Sequence, residues 1–161
     1  MTITKATASD IPELRILFDK ATQYKLLKGD TGWGQPGWTD DEVASMMDLH
    51  KGTYIARTDD AVLAGTISID WSDERIWGTD DGLGCYIHKL ASNQDFDGVG
   101  LMLIKWSEDF AKSHGKKYLR LDCDSTATGL CKYYVRNGFK QIRKTNTGDY
   151  AGPTALLQKQ I

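Results

Sequence analysis

Hydrophobic positions recur along this chain at two spacings, and the switches between them mark its elements. Thr2 to Ala6 is short and β-branched, a first strand. Ser9-Asp-Ile-Pro-Glu then supplies a cap, a proline in the first turn and an acid, the signature of a helix start. Ile11, Leu14, Phe18, Ala21 and Tyr24 follow at helical spacing until Gly29 ends the pattern. Asp30 to Thr39 is rich in glycine and reads as a loop, and a shorter helix opens at Asp40 with Val43, Met46, Met47 and His50 on one face. Thr53 to Arg57 and Val62 to Trp71 read as strands joined by a turn at Asp59-Asp60, the second alternating from one face to the other. Ser72 to Gly82 is polar and reads as a loop. Gly84 to Leu90 is a strand, Gly100 to Ser113 a long helix, Tyr118 to Asp124 a strand and Ala127 to Asn137 a helix; Phe139 to Thr145 and Thr154 to Gln158 close the chain as strands.

The prediction is therefore a single α/β domain over residues 1–161: a mixed, mostly antiparallel sheet of six to seven strands with about four helices on both faces. The strands flanking the long helix must run parallel, because a helical crossover joins them.

Composition narrows the classes of function. With 161 residues and 40% hydrophobic content the chain can bury one sizeable core. Twenty basic against 22 acidic residues leave a net charge of −2, which gives no electrostatic reason for a nucleic acid or an anionic membrane as partner. Cys85, Cys123 and Cys131 are odd in number and lie in apolar contexts, so they read as free thiols of a reducing compartment. No run reaches membrane-spanning length and the N-terminus lacks a signal-like apolar stretch, so a cytoplasmic location is expected. No His, Cys, Asp and Glu grouping has metal-ligand spacing along the chain.

The chemistry centres on the segment from Leu90 to Trp106, where a strand passes into the long helix through a loop ending Gly98-Val99-Gly100. Glycines let backbone approach a ligand, and the free N–H groups of the first helical turn attract an anion. Further on, Tyr118-Leu-Arg-Leu-Asp-Cys-Asp124 is followed by a helix ending Tyr134-Val-Arg-Asn-Gly-Phe139. Together these segments resemble the GNAT superfamily of acyl-CoA N-acyltransferases, whose pattern is Gln/Arg-x-x-Gly-x-Gly/Ala, helix, strand, and a helix ending Tyr-x-x-x-Gly-Phe. The match is close over residues 83 to 142. It departs at Asp95, where the family usually has Gln or Arg, at Asp97, where a basic residue is common, and at Ala127, where many relatives have asparagine.

The resemblance implies the GNAT fold, splayed at the parallel strand pair, with acetyl-CoA in the opening. Leu90, Ala91 and Ser92 then flank the pantetheine arm. Asp95, Phe96, Asp97, Gly98, Val99, Gly100 and Leu101 surround the pyrophosphate, and Ala127, Leu130 and Tyr133 border the cofactor from the last helix. It also implies that the Tyr134 hydroxyl protonates or hydrogen-bonds the departing thiolate, and that the acetyl group passes directly to a primary amine. Tyr133 and Tyr134 also read as helix residues packed on the core.

An ammonium acceptor must lose a proton before it can attack. His88 is the only neutral-pH titrator on its strand, where many relatives carry glutamate; Asp122 and Asp124 are alternatives, though Arg120 or Lys89 could pair with them without any catalysis. Asp70 or Glu74 could meet the acceptor's cation. Trp33, Trp38, Trp71 and Trp77, with Tyr86, read either as an aromatic pocket for a small or amino-acid-like amine or as caps on the core. His50 and His114 read as helix-end residues. A non-catalytic acyl-CoA-binding or sensing module with the same fold is the alternative function, and pairing of two copies through the last strands stays open. A dinucleotide site lacks its third glycine.

Overall fold

The computed structural model describes residues 1–150 and 152–161. Strand β1 (Thr2–Lys5) leads through a 3₁₀ turn into α1 (Ile11–Leu27) and α2 (Asp40–Leu49). Then come β2 (Gly52–Arg57), β3 (Leu63–Asp70), the single turn α3 (Glu74–Trp77), β4 (Gly84–Ser92), α4 (Val99–Ser113), β5 (Tyr118–Asp124), α5 (Thr128–Arg136), β6 (Lys140–Thr145) and β7 (Thr154–Gln160). One seven-stranded sheet runs β1-β2-β3-β4-β5-β7-β6, and every pairing is antiparallel except β4 with β5.

Two apolar layers flank the sheet. On one face Leu14, Leu17 and Phe18 of α1 and Val43 and Met46 of α2 pack with Ile55 and Ala91. On the other, Val99, Leu103 and Ile104 of α4 and Tyr134 of α5 pack with Ile67, Ile87 and Leu121. The helices start as their sequences direct: Pro12 stands in the first turn of α1, and Thr39 and Glu42 form a reciprocal capping box on α2. Close approach of α4 depends on Gly65 of β3. A Cβ there would lie 2.7 Å from a Val99 methyl and 2.9 Å from the Ala91 carbonyl oxygen.

Three features depart from the sequence reading. The segment Ser72–Gly82 is not all loop, because burial of Ile76 fixes α3, an element too short to show periodicity. Strand β3 is buried on both faces from Leu63 to Ile69 despite its alternation, since it lies mid-sheet under helices from both sides. Its polar side chains are satisfied internally, Thr66 donating to the Tyr54 carbonyl and Thr53 sharing a hydrogen bond with Ser68. Finally, β4 runs on to Ser92, regaining its pairing with β3 beyond an irregularity.

That irregularity shapes the molecule's main cleft. Ser68 faces His88 and Thr66 faces Ala91, so Lys89 and Leu90 together oppose the single residue Ile67, the geometry of a β-bulge. Lys89 takes φ +49°, rare for a residue with a side chain. Meanwhile β4 pairs with β5 only from Gly84–Tyr118 to Tyr86–Arg120, and the two strands part beyond that point.

Candidate active site

Between the diverging strands opens a cleft of about 1190 Å³, bounded by α1, α2, the β4 bulge, β5 and α5. The bulge turns consecutive side chains His88, Lys89, Leu90 and Ala91 to its lining, where a regular strand would offer every second one. Ser92 and Gly100 lie at one end, Asp122 and Cys123 on the β5 wall, and Ala127, Leu130, Tyr133 and Tyr134 on the α5 side.

Gly98 caps α4 with φ +75°, a left-handed conformation suited to glycine. The backbone N–H groups of Gly98, Val99, Gly100 and Leu101 find no acceptor within the described chain. They form an unsatisfied first turn, the kind of helix start that can receive an anion. The Tyr133 hydroxyl lies where it would stand 2.9 Å from a Cβ at Gly100, which ties this turn to α5. The carboxylates of Asp95 and Asp97 are exposed and make no ion pair among the described residues, so neither occupies the N–H groups. Phe96 packs partly buried against the core.

Tyr134 is 8% exposed and set edge-on between Tyr133 and Phe139. Burial, with Cys123 beside it, pushes its hydroxyl well above the usual phenol range and holds it protonated. Cys123 and Cys131 are free thiols with sulfurs 3.5 Å apart.

At the far end of the cleft His50, Asp70, His88 and Asp73 come together from four segments. His50 Nδ1 lies 2.6 Å from Asp70 Oδ2, and the Lys51 N–H donates to the other oxygen. Burial raises the Asp70 pKa, but these hydrogen bonds outweigh it and hold the group below the ordinary carboxylate range. The imidazoles of His50 and His88 stack at 5.0 Å. His88 Nε2 stands 3.6 Å from Asp70 and 3.9 Å from Asp73. Burial and the nearby His50 pull His88 down to about 4, so it is neutral at pH 7. Asp73 Oδ2 is buried without a hydrogen-bond partner, and burial with Asp122 close by pushes its pKa up to about 6. Donor atoms of His50, Asp70 and His88 lie within 4.8 Å of one another, near enough to hold an ion, a proximity hidden by their separation in sequence. Within this cluster only His50 and Asp70 are joined by a side-chain hydrogen bond, and His88 stands beyond hydrogen-bond distance of both carboxylates.

Several expected site residues are elsewhere. Trp71 stacks on Phe110 and His114 against α4, away from the cleft. Trp77 packs edge-on to Tyr86 and beneath Arg120. Tyr86 is buried at the closed end of the strand pair, where its hydroxyl accepts from Arg120. Neither expected partner of Asp122 holds it: Arg120 forms a two-bond pair with Asp81, and Lys89 makes no ion pair among the described residues. Instead the Tyr150 hydroxyl donates to Asp122 at 3.0 Å, while burial raises the Asp122 pKa. Asp124 accepts from Thr126, and Glu74 is exposed at the start of α3. Trp33 and Trp38 do line the cleft, Trp33 edge-on to Phe18 and Trp38 stacked on it, but the ammonium of Lys89 lies 5.4 Å from each ring centre. A cation of the chain itself thus occupies the aromatic box. His50, Asp73 and Lys89 were hidden by sequence because each is polar and lies at a helix end, in a loop or on a strand, with nothing local to mark it.

Residues 19–139 match the acetyltransferase (GNAT) family. The chain belongs to this family. It is 31% identical over 122 residues, 70% of its length, to the uncharacterized N-acetyltransferase YesJ of Bacillus subtilis; the match spans 64% of that relative. Similar solved structures include a GNAT-family acetyltransferase of Listeria monocytogenes, with 22% identity, 99% and 94% of the two chains covered and TM-score 0.74. AAC(6')-Ib, solved with ribostamycin and coenzyme A, has 17% identity, 99% and 92% coverage and TM-score 0.76. The Salmonella typhimurium protein yncA, solved with its cofactor acetyl-CoA, has 18% identity, 99% and 93% coverage and TM-score 0.68. At these identities the structures share a fold with this GNAT chain. No described helix is long and apolar enough to cross a membrane.

Proposed function

We propose that this chain is an N-acetyltransferase that moves the acetyl group of acetyl-CoA directly onto a primary amine of a small molecule. The observation that carries the reading is the opening between β4 and β5, with free N–H groups at one mouth and Tyr134 on its wall. The pyrophosphate rests on the N–H groups from Gly98 to Leu101. The pantetheine arm lies along Leu90, Ala91 and Ser92 and supplies hydrogen bonds that the parted strands cannot give each other. Solved complexes of similar chains with acetyl-CoA or coenzyme A support this placement.

The acceptor enters from the end formed by α1 and α2. Its ammonium gives a proton to Asp73, whose unpartnered carboxylate oxygen has its proton affinity raised by burial, while the neutral His88 lies beside it. The amine nitrogen then bonds to the thioester carbon, a second proton leaves nitrogen, and the carbon–sulfur bond breaks. Tyr134, kept protonated by burial, donates a hydrogen bond to the departing thiolate, which takes up a proton as free thiol. In sum the acetyl group moves from sulfur to nitrogen, the second proton lost by nitrogen ends on the free thiol, and the proton first given up by the ammonium passes from the cluster to solvent.

Titration calorimetry with acetyl-CoA, followed by thiol release with a panel of amines, tests the reading. Saturable micromolar binding with turnover supports it; binding without turnover of any amine assigns the sensing alternative, and no binding removes the donor site.

A further inference from the structure

Lys89 is a cation inside the cleft that has no ion-pair partner among the described residues. Its neighbours are paired: Lys25 with Asp30, and Arg75 with Asp149 through two bonds of 2.9 and 2.8 Å. Lys89 makes no hydrogen bond or ion pair among the described residues, although its ammonium lies in the cleft between Trp33 and Trp38. Cation–π contact offsets only part of the cost of withdrawing an ammonium from water. Its backbone is strained as well, since φ +49° at the bulge is what turns it inward beside His88. Burial lowers its pKa, and Asp149 and Asp122, neither in contact with it, offset only part of that effect. Strain and an unmatched charge in one residue, at the edge of the acceptor space, point to a ligand that supplies the missing anion.

We propose that Lys89 anchors the carboxylate of an acceptor carrying both an amine and a carboxylate, an amino acid by chemical class. The inference rests on the acetyl-transfer reading and narrows its substrate. The cleft offers this zwitterion two fixed points. Lys89, framed by Trp33 and Trp38, holds the carboxylate, and the unpartnered Asp73 oxygen beside His88 faces the amine. A plain amine or a diamine gains nothing from Lys89 and meets a like charge there.

The test compares α-amino acids with their α-amides, which keep the amine and lose the carboxylate charge. Thiol release from acetyl-CoA is followed for the wild type, Lys89→Met and Lys89→Arg. The wild type is expected to favour the best acid over its amide about tenfold or more in kcat/KM, mainly through KM. Lys89→Met should bring that ratio close to one, and Lys89→Arg should restore most of it. A wild-type preference for amides, or an equal loss on acid and amide in Lys89→Met with the ratio intact, overturns the proposal. So does mass-spectrometric detection of stoichiometric acetyl transfer to Lys89 itself, which would make the residue an acceptor. If no amine is turned over, the transfer reading fails separately, and calorimetry of the CoA-saturated protein with the same acids decides the anchor. Binding that Lys89→Met weakens about tenfold or more supports it, and equal binding or none rejects it.

Discussion

Single side chains carry the sharpest consequences of this site. Tyr134→Phe removes one hydroxyl from a buried niche, so the packing survives while, in the proposed reaction, the thiolate would lose its donor. We expect kcat to fall by more than about tenfold with little change in CoA affinity, read by steady-state kinetics beside calorimetry. Asp73 gives a pH-dependent expectation. Its folded-state pKa of about 6 lies above that of an unfolded carboxylate, so the stability present at low pH is lost as pH rises through 6. Asp73→Asn does not ionise, and its melting temperature relative to wild type should climb between pH 4 and pH 7. The same variant should flatten the fall in kcat/KM that wild type shows below about pH 6; an identical profile would exclude Asp73 from the proton path. Such residues show how far sequence reading reaches. The place of Tyr134 on the cleft wall was legible because a fixed spacing to Gly138-Phe139 marks it, whereas His50 and Asp73 come to notice only beside Asp70 and His88.

Among the elements, β3, β4 and α4 form the unit on which the cleft depends. Gly65→Ala would force the Val99 methyl and the Ala91 carbonyl apart and lift α4 from the sheet. We expect a destabilisation of about 1–3 kcal/mol in denaturant unfolding, together with weaker CoA binding because the anion-binding turn begins at Val99. Gly98→Ala has free space around the new methyl and pays only for its left-handed backbone, about 1–2 kcal/mol, so its unfolding midpoint should drop with the slope unchanged. The strands and long helices were readable because their periodicities are strong and their glycines and capping residues conventional. The bulge was not. Nothing in Ile87-His-Lys-Leu-Ala91 announces that two residues will oppose Ile67, and that one extra residue changes the lining from alternate to consecutive side chains. The aromatic residues were legible only as two alternatives: Trp33 and Trp38 line the cleft, whereas Trp71 and Trp77 pack elsewhere, on Phe110 and Tyr86.

On the scale of the whole molecule, the sheet is two blocks, β1 to β4 and β5 to β7, joined by three residue pairs at one end of a seam. A ligand that lies along the open part works as a removable strand. Hydrogen–deuterium exchange should therefore slow at the amides of residues 88–91 when CoA binds, although no part of the fold forms anew. The two blocks would also melt with greater cooperativity in the bound protein, so the cofactor would act as a stitch, and its concentration would set how rigid the protein is.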